Sequence, residues 1–265
     1  MRVTHNIDEI IDSLKKRNIP FTIYQTTLTK IVKMEKFDYF YTKQGQLKNI
    51  ELAFINKVKR HVEKNFDLNT LKEITSQNVK FVDDYKFLKR NVFYSKEIFE
   101  IDLTSAFFYA AKKLEIINEE MFFQALNDKR ISKKARLVAL GNLAKRKIEV
   151  SFKNGKFEKP ILHPPPPTAK CFFACASYVS DIMAGLKFNC GENFLFFWVD
   201  AIFFQTEKCK KEIELMLNEV DFPYKIKEID RVIRKNEQII VYDDYLGDKK
   251  RVFNFTKKIK RKIYE

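Results

Sequence analysis

Ile98-Phe99-Glu100-Ile101-Asp102-Leu103-Thr104-Ser105-Ala106-Phe107-Phe108 and Phe194-Leu195-Phe196-Phe197-Trp198-Val199-Asp200-Ala201-Ile202-Phe203-Phe204 are two apolar runs that each carry an aspartate near the middle. A carboxylate set into or beside a buried strand must be compensated, because its desolvation is costly unless it is paired or binds a cation. Two such acids point to one shared metal site.

The surroundings of the first run read as a strand ending at Asp102 and a helix over 106–114, built from good helix formers at helical spacing. A second helix is expected over 119–126. A third starts at Ser132, whose hydroxyl can cap it, and runs to 147 with enough Lys and Arg to face phosphate. Residues 194–204 read as a strand pair or one long strand. An amphipathic helix over 207–220 follows, resting on Ile213, Leu215, Met216, Leu217 and Val220, and then strands at 224–229, 238–242 and 251–255 with a turn at Leu246-Gly247-Asp248. This order fits an α+β fold with an antiparallel sheet of split β-α-β type, in which neighbouring strands would bring Asp102 and Asp200 together.

Upstream, Ile7, Ile10, Ile11 and Leu14 mark one face of a short helix, 21–24 and 37–41 read as strands, and 47–62 has apolar residues at helical spacing beneath a basic face. The expected organisation is a basic, mixed α/β accessory region over 1–96 and a main domain over 97–265, with a helical insertion at about 119–147. Within the latter, 148–157 reads as a hairpin turning at Asn154-Gly155. His163-Pro164-Pro165-Pro166-Pro167 reads as a stiff extended connector, and 168–185 as a buried helix stopped by glycine. A basic tail covers 257–262.

The 265 residues carry 50 Lys and Arg against 35 Asp and Glu, a formal charge of +15, so a polyanion, nucleic acid first of all, is the expected partner. Most of the 26 Phe and 11 Tyr should fill core, with some rings free to stack on bases. The start lacks the shape of a signal peptide and no apolar segment approaches the ~20 residues that span a bilayer, so a soluble, cytoplasmic protein without a membrane partner is expected. Cys171, Cys175, Cys190 and Cys209 form no CxxC pair and read as reduced, buried thiols. Scattered His5, His61 and His163 supply neither a histidine metal site nor a Ser-His-Asp set, and six Gly leave no phosphate-binding glycine loop.

Residue by residue, the two runs and the helix between them resemble family B DNA polymerases. Asp102-Leu103-Thr104-Ser105-Ala106-Phe107-Phe108 resembles motif A, with Phe107 at the aromatic steric-gate position and Phe108 in place of the usual proline. Arg136-Leu137-Val138-Ala139-Leu140-Gly141-Asn142-Leu143-Ala144 is similar to the fingers helix of motif B, with Arg136 for lysine and Leu143-Ala144 for the closing tyrosine and glycine. Asp200 falls on the second aspartate of motif C, while Trp198 stands for the first, Val199 for the threonine and Ala201 for the serine. Lys249-Lys250-Arg251-Val252-Phe253 is placed like the basic-x-aromatic motif that touches primer or template.

The resemblance covers about 97–255, the palm and fingers. It implies Asp102 and Asp200 as ligands of Mg²⁺ or Mn²⁺, Phe107 as the screen of the sugar 2′ position, Arg136 with Lys133 or Lys134 as ligands of the dNTP triphosphate, and Lys249, Lys250, Arg251 and Phe253 as contacts to primer-template or single-stranded DNA. The implied activity is metal-dependent nucleotidyl transfer from a dNTP to a primer 3′-OH. A nuclease could use the same metals, but the residues around Asp102 favour polymerase. Since 1–96 does not look like a proofreading exonuclease and little chain follows for a thumb, a partner protein supplying either is also implied, as in a split polymerase. The reading from a different class is a catalytically inactive, palm-derived nucleic-acid-binding accessory protein of replication or packaging. The Lys, Phe, Ile and Asn bias is compatible with an AT-rich source such as a phage or mobile element, which would put the protein in a host cytoplasm.

Overall fold

The computed structural model describes residues 2–3, 6–25, 29–36, 38–42, 47–71, 79, 82–83, 93–94, 97–146, 148–153, 156–157, 161–244, 246 and 249–255. In chain order the elements up to the first aspartate are β1 (Arg2–Val3), α1 (Ile7–Lys16), β2 (Phe21–Gln25), β3 (Thr29–Lys33), β4 (Asp38–Thr42), α2 (Asn49–Asn65), β5 (Val82–Asp83), β6 (Phe93–Tyr94) and β7 (Ile98–Leu103). Next come α3 (Ala106–Lys113), α4 (Glu119–Asn127), α5 (Lys133–Gly141), β8 (Ile148–Lys153), β9 (Lys156–Phe157), β10 (Ile161–Leu162) and α6 (Ala169–Cys190). The chain continues with β11 (Phe194–Trp198), β12 (Ala201–Gln205), α7 (Glu207–Glu219), β13 (Tyr224–Ile229), β14 (Arg231–Lys235), β15 (Gln238–Tyr242) and β16 (Lys250–Asn254). The class is α+β, and among the described residues every strand pair except β1 with β4 is antiparallel.

Two units interleave along the sequence: Met1–Leu71 with Ile116–Phe172, and Lys72–Glu115 with Phe173–Glu265. The expected division at 96/97 differs from this one, because 116–172 clusters with the N-terminal residues. The cause is long-range pairing. Strand β8 lies beside β2, with Phe21 opposite Phe152, and α5 packs on α2.

In the first unit a seven-stranded sheet has the order β1-β4-β3-β2-β8-β10, with β9 also on β8. Helix α1 covers it because Ile7, Ile11 and Leu14 recur at helical spacing and bury themselves against Phe21, Ile23 and Val32. The β8–β9 hairpin appears with Lys153 opposite Lys156, so its connection is residues 154–155, which lie outside the described residues. Helix α5 is shorter than expected: it is capped by Ser132, whose Oγ accepts from the Ala135 N–H, but ends at Gly141 and tightens into a 3₁₀ turn over Asn142–Ala144. Residues 163–166 form neither helix nor strand, as four consecutive prolines demand.

In the second unit a five-stranded sheet has the order β13-β7-β12-β11-β5 and a four-stranded sheet the order β16-β15-β14-β6. Counting β7, β11, β12 and β13 as first to fourth, their spatial order is 4-1-3-2, and α7 connects the third to the fourth. This is a β-α-β-β-α-β arrangement. Ile98, Phe196, Phe203 and Ile229 on this sheet share a core with Val232, Ile239 and Val241 of the four-stranded sheet. Strands β3 and β14 are not expected from the sequence, since both have lysine or arginine near their ends and only two apolar residues to signal a strand.

Helix α6 corrects two expectations. It runs through Gly185 to Cys190, because that glycine is a packing position: a Cβ there would lie 2.6 Å from Met216 Cε of α7. With the turn that follows, Ala169–Asn193 is long and apolar enough to cross a membrane by length and composition. Its buried residues Cys171, Cys175, Val179, Ile182, Met183, Leu186 and Cys190 nevertheless form a helical stripe, as in a core helix. On α7 the buried positions are Cys209, Ile213 and Leu217, and Leu215 is exposed, because the 3.6-residue period leaves room for only part of the apolar set.

Candidate functional site

Asp102 occupies the next-to-last position of β7, the strand that lies between β12 and β13. Its register partners are Ala201 on β12 and Lys225 on β13, so these three residues share one face of the sheet. Asp200 immediately precedes Ala201. It belongs to the two-residue turn Val199-Asp200 that closes the β11–β12 hairpin between the paired residues Trp198 and Ala201. The Leu103 N–H donates to the Asp200 carbonyl at 2.9 Å, and the Thr104 N–H to the Pro223 carbonyl at 2.8 Å, which fixes the end of β7 between the hairpin turn and the start of β13. The two aspartates thus stand one residue step out of register on adjacent strands, whose backbones are about 4.8 Å apart in any sheet. Both are partly exposed.

Val199 carries a φ of +58°, a conformation that L residues with branched side chains avoid. The tight turn imposes it. Trp198, just before, has its ring 5.4 Å from Phe253 and 5.1 Å from Phe255, so the position that resembles the first motif C aspartate is part of an aromatic cluster.

A pocket of about 430 Å³ opens beside Asp102, lined by Glu100, Asp102, Lys225, Ile226, Lys227, Asp243 and Arg251. Glu100 lies two residues before Asp102 on the same sheet face and is only 6% exposed. Arg251 of β16 grips it in a fork, Nη1 to Oε1 and Nη2 to Oε2, both at 2.6 Å. The same guanidinium donates from Nη2 to Asp243 Oδ1 at 2.6 Å and from Nε at 3.2 Å, while Lys227 pairs with Asp243 Oδ2 at 2.9 Å. Burial pushes the Asp243 carboxyl upward, but the Lys227 and Arg251 hydrogen bonds outweigh it and hold the group below its ordinary value. The hydrogen bonds that Arg251 donates to Glu100 and Asp243 reinforce its charge in turn.

Lys249 and Lys250 are exposed, and Phe253 packs on Phe196 and Phe203 at 5.5 and 5.7 Å. Of this basic-x-aromatic segment, the lysines are the solvent-facing cations. Phe107 is half-buried in the first turn of α3, directly after the Thr104-Ser105 turn that leaves the Asp102 strand.

Lys133, Lys134 and Arg136 belong to the first unit. The two lysines are exposed at the start of α5. Arg136 turns back onto the connection from α4, donating from Nη1 to the carbonyls of Ala125 at 2.9 Å and Ile131 at 3.3 Å, and burial lowers its pKa. The positive end of α5 is met by a carboxylate from the same unit: Glu51 of α2 accepts from the Ser132 N–H and the Ser132 hydroxyl.

Asp102 and Asp200 stand at one end of one sheet, and a carboxylate is the kind of ligand a hard divalent cation takes. Among the described residues no three His, Cys, Asp or Glu side chains form a ready-made metal cluster. Two carboxylates are nonetheless the usual protein share for Mg²⁺, which draws further oxygens from substrate phosphates and water. Glu100, Lys225, Lys227 and Asp243 escape a reading by motif. Glu100 and Asp102 share a strand face by simple alternation, which is the one signal that could have joined them, whereas the β13 lysines meet them only through pairing across the sheet. No family model, curated protein or solved structure matches the chain.

Proposed function

We propose that the second unit is a family B-like polymerase palm and that the protein transfers a nucleotidyl group from a dNTP to a primer 3′-OH, using Asp102 and Asp200. The observation that supports this best is the register of β7 with the β11–β12 hairpin, which brings the two aspartates to neighbouring positions at one end of a β-α-β-β-α-β sheet. Mg²⁺ or Mn²⁺ bound there would neutralise phosphate charge and acidify the attacking hydroxyl. Asp102 and Asp200 would hold that cation; Phe107, five residues beyond Asp102, would screen the sugar 2′ position. Lys249 and Lys250, the exposed cations at the start of β16, serve the primer strand.

A second reading has its own support. Arg251 is held by Glu100 and Asp243, Arg136 by backbone carbonyls, and Trp198 fills an aromatic cluster where the family has an acid. These features favour a palm-derived nucleic-acid-binding accessory protein without turnover, or one subunit of a polymerase whose thumb or exonuclease lies on a partner chain.

Primer extension with Mg²⁺ or Mn²⁺ on a labelled primer-template separates the readings. The native chain should incorporate dNTPs, and Asp102→Ala and Asp200→Ala should each lose activity by about a hundredfold or more, the scale expected when a group that stabilises transition-state charge is removed. Equal incorporation by all three proteins would overturn the site. Metal-independent, salt-sensitive DNA binding with no incorporation by any of them would establish the accessory reading, and incorporation only with a co-purifying chain the split polymerase.

A further inference from the structure

Helix α2 carries Lys57, Arg60, His61 and Lys64 at spacings of three, four and seven residues from the first, which puts all four on one side of the helix. The side that holds Phe54, Ile55, Val58 and Val62 is buried. The four basic residues, together with Ala53, Asn65 and Met121 of α4, line a pocket of about 300 Å³ within the first unit. Lys57 is anchored by Glu120 at 2.9 Å and Gln124 at 3.0 Å, and Asn65 Nδ2 lies 3.2 Å from His61 Nδ1. Arg60 and Lys64 are exposed and make no ion pair with any described residue. On α2 itself the acids stand apart from the stripe: Glu51 is buried, and Glu63 pairs with Lys59 at 3.6 Å.

We propose that this stripe binds the phosphate backbone of single-stranded nucleic acid. Its cations extend over about 10 Å of helix axis, from the 1.5 Å rise per residue. That length matches several successive phosphates of one strand better than a single anion. The pocket floor of Ala53 and Met121 offers apolar surface to a sugar or base, and the anchored Lys57 keeps one end of the stripe in place. The inference shares its partner with the proposed function but uses neither Asp102 nor Asp200.

The test is binding of a labelled oligothymidine to the full chain without divalent metal, read as a function of salt. For Arg60→Ala/Lys64→Ala the log–log salt slope should flatten by about 1.4, so that between about 50 and 200 mM salt the native chain loses about sevenfold more affinity than the variant. The double variant Lys208→Ala/Lys211→Ala on α7 removes the same net charge and should leave the slope nearly native. Arg60→Gln/Lys64→Gln, which keeps the side-chain stems, should behave like the alanine pair. Equal slopes for all proteins, or equal flattening by both the α2 and the α7 pairs, would overturn the proposal. Displacement of the oligonucleotide by inorganic phosphate at equal phosphate concentration would also overturn it, in favour of a single-anion site. Primer extension by Asp102→Ala reports on the aspartates alone, so the two proposals fail separately.

Discussion

Glu51 shows how much one side chain can hold in this chain. Buried to 4% exposure, it accepts from the backbone N–H of Lys48 at 2.8 Å, from that of Ser132 at 3.1 Å and from the Ser132 hydroxyl, so a single carboxylate satisfies orphan donors at the starts of both α2 and α5. The Ser132 hydrogen bond lowers the Glu51 pKa below its ordinary 4.5, with desolvation opposing. A carboxyl depressed in the folded state contributes stability that is complete above the unfolded value and lost as pH falls through the folded one. Glu51→Gln should therefore cost about 1–2 kcal/mol near pH 7, and the cost should shrink as the pH falls below about 4, as read from urea midpoints. An unchanged midpoint at neutral pH would show that the double cap does not form. The four cysteines carry a second residue-scale expectation. All are free and buried, and burial raises the Cys171 thiol to about 11. A thiol reagent should label none of them in native buffer and all four after denaturation, because burial keeps the reagent from the sulfur.

At the scale of elements, β16 is tied to the centre of the five-stranded sheet by Arg251, not by sheet hydrogen bonds, since its strand partner is β15. Removing that guanidinium leaves Glu100 buried beside Asp102 with its fork partner gone. Arg251→Ala should destabilise the protein by about 2 kcal/mol, less than for a fully buried pair because the arginine side chain is 36% exposed. Arg251→Lys should recover only part of this, as an ammonium lacks the planar fork. Thermal denaturation measures both; native stability for Arg251→Ala would mean that the arginine is available to a primer strand instead. The hairpin closing on Val199 and Asp200 is an element of the same kind. Its two-residue loop forces a positive φ on valine and in return carries Asp200 to the edge of the strand that bears Asp102.

For the whole molecule, the +15 charge sits on two units that alternate along the chain, so contacts to the proposed nucleic-acid partner need not come from the residues nearest the aspartates in sequence. Local signals determined a good deal by themselves. Helices α1, α2, α4 and α7 follow from apolar spacing, the Ser132 cap from its hydroxyl, an α+β class with an antiparallel sheet from the succession of strand and helix patterns, and the buried thiols from cysteine spacing and chain size; that 194–204 is a hairpin and not one long strand came from the structure. The helices and the cap depend on residues within a few positions of one another. What required the tertiary structure is everything set by pairing at a distance. Strand β8 joining β2 moved 116–172 into the first unit, Met216 made Gly185 a packing residue, pairing across β7 put Lys225 opposite Asp102, and packing of the four-stranded sheet against the five-stranded one put Arg251 on Glu100. A sequence read along its length shows which side chains want burial or charge; which of them meet is decided by sheet register and packing, and those are properties of the folded chain.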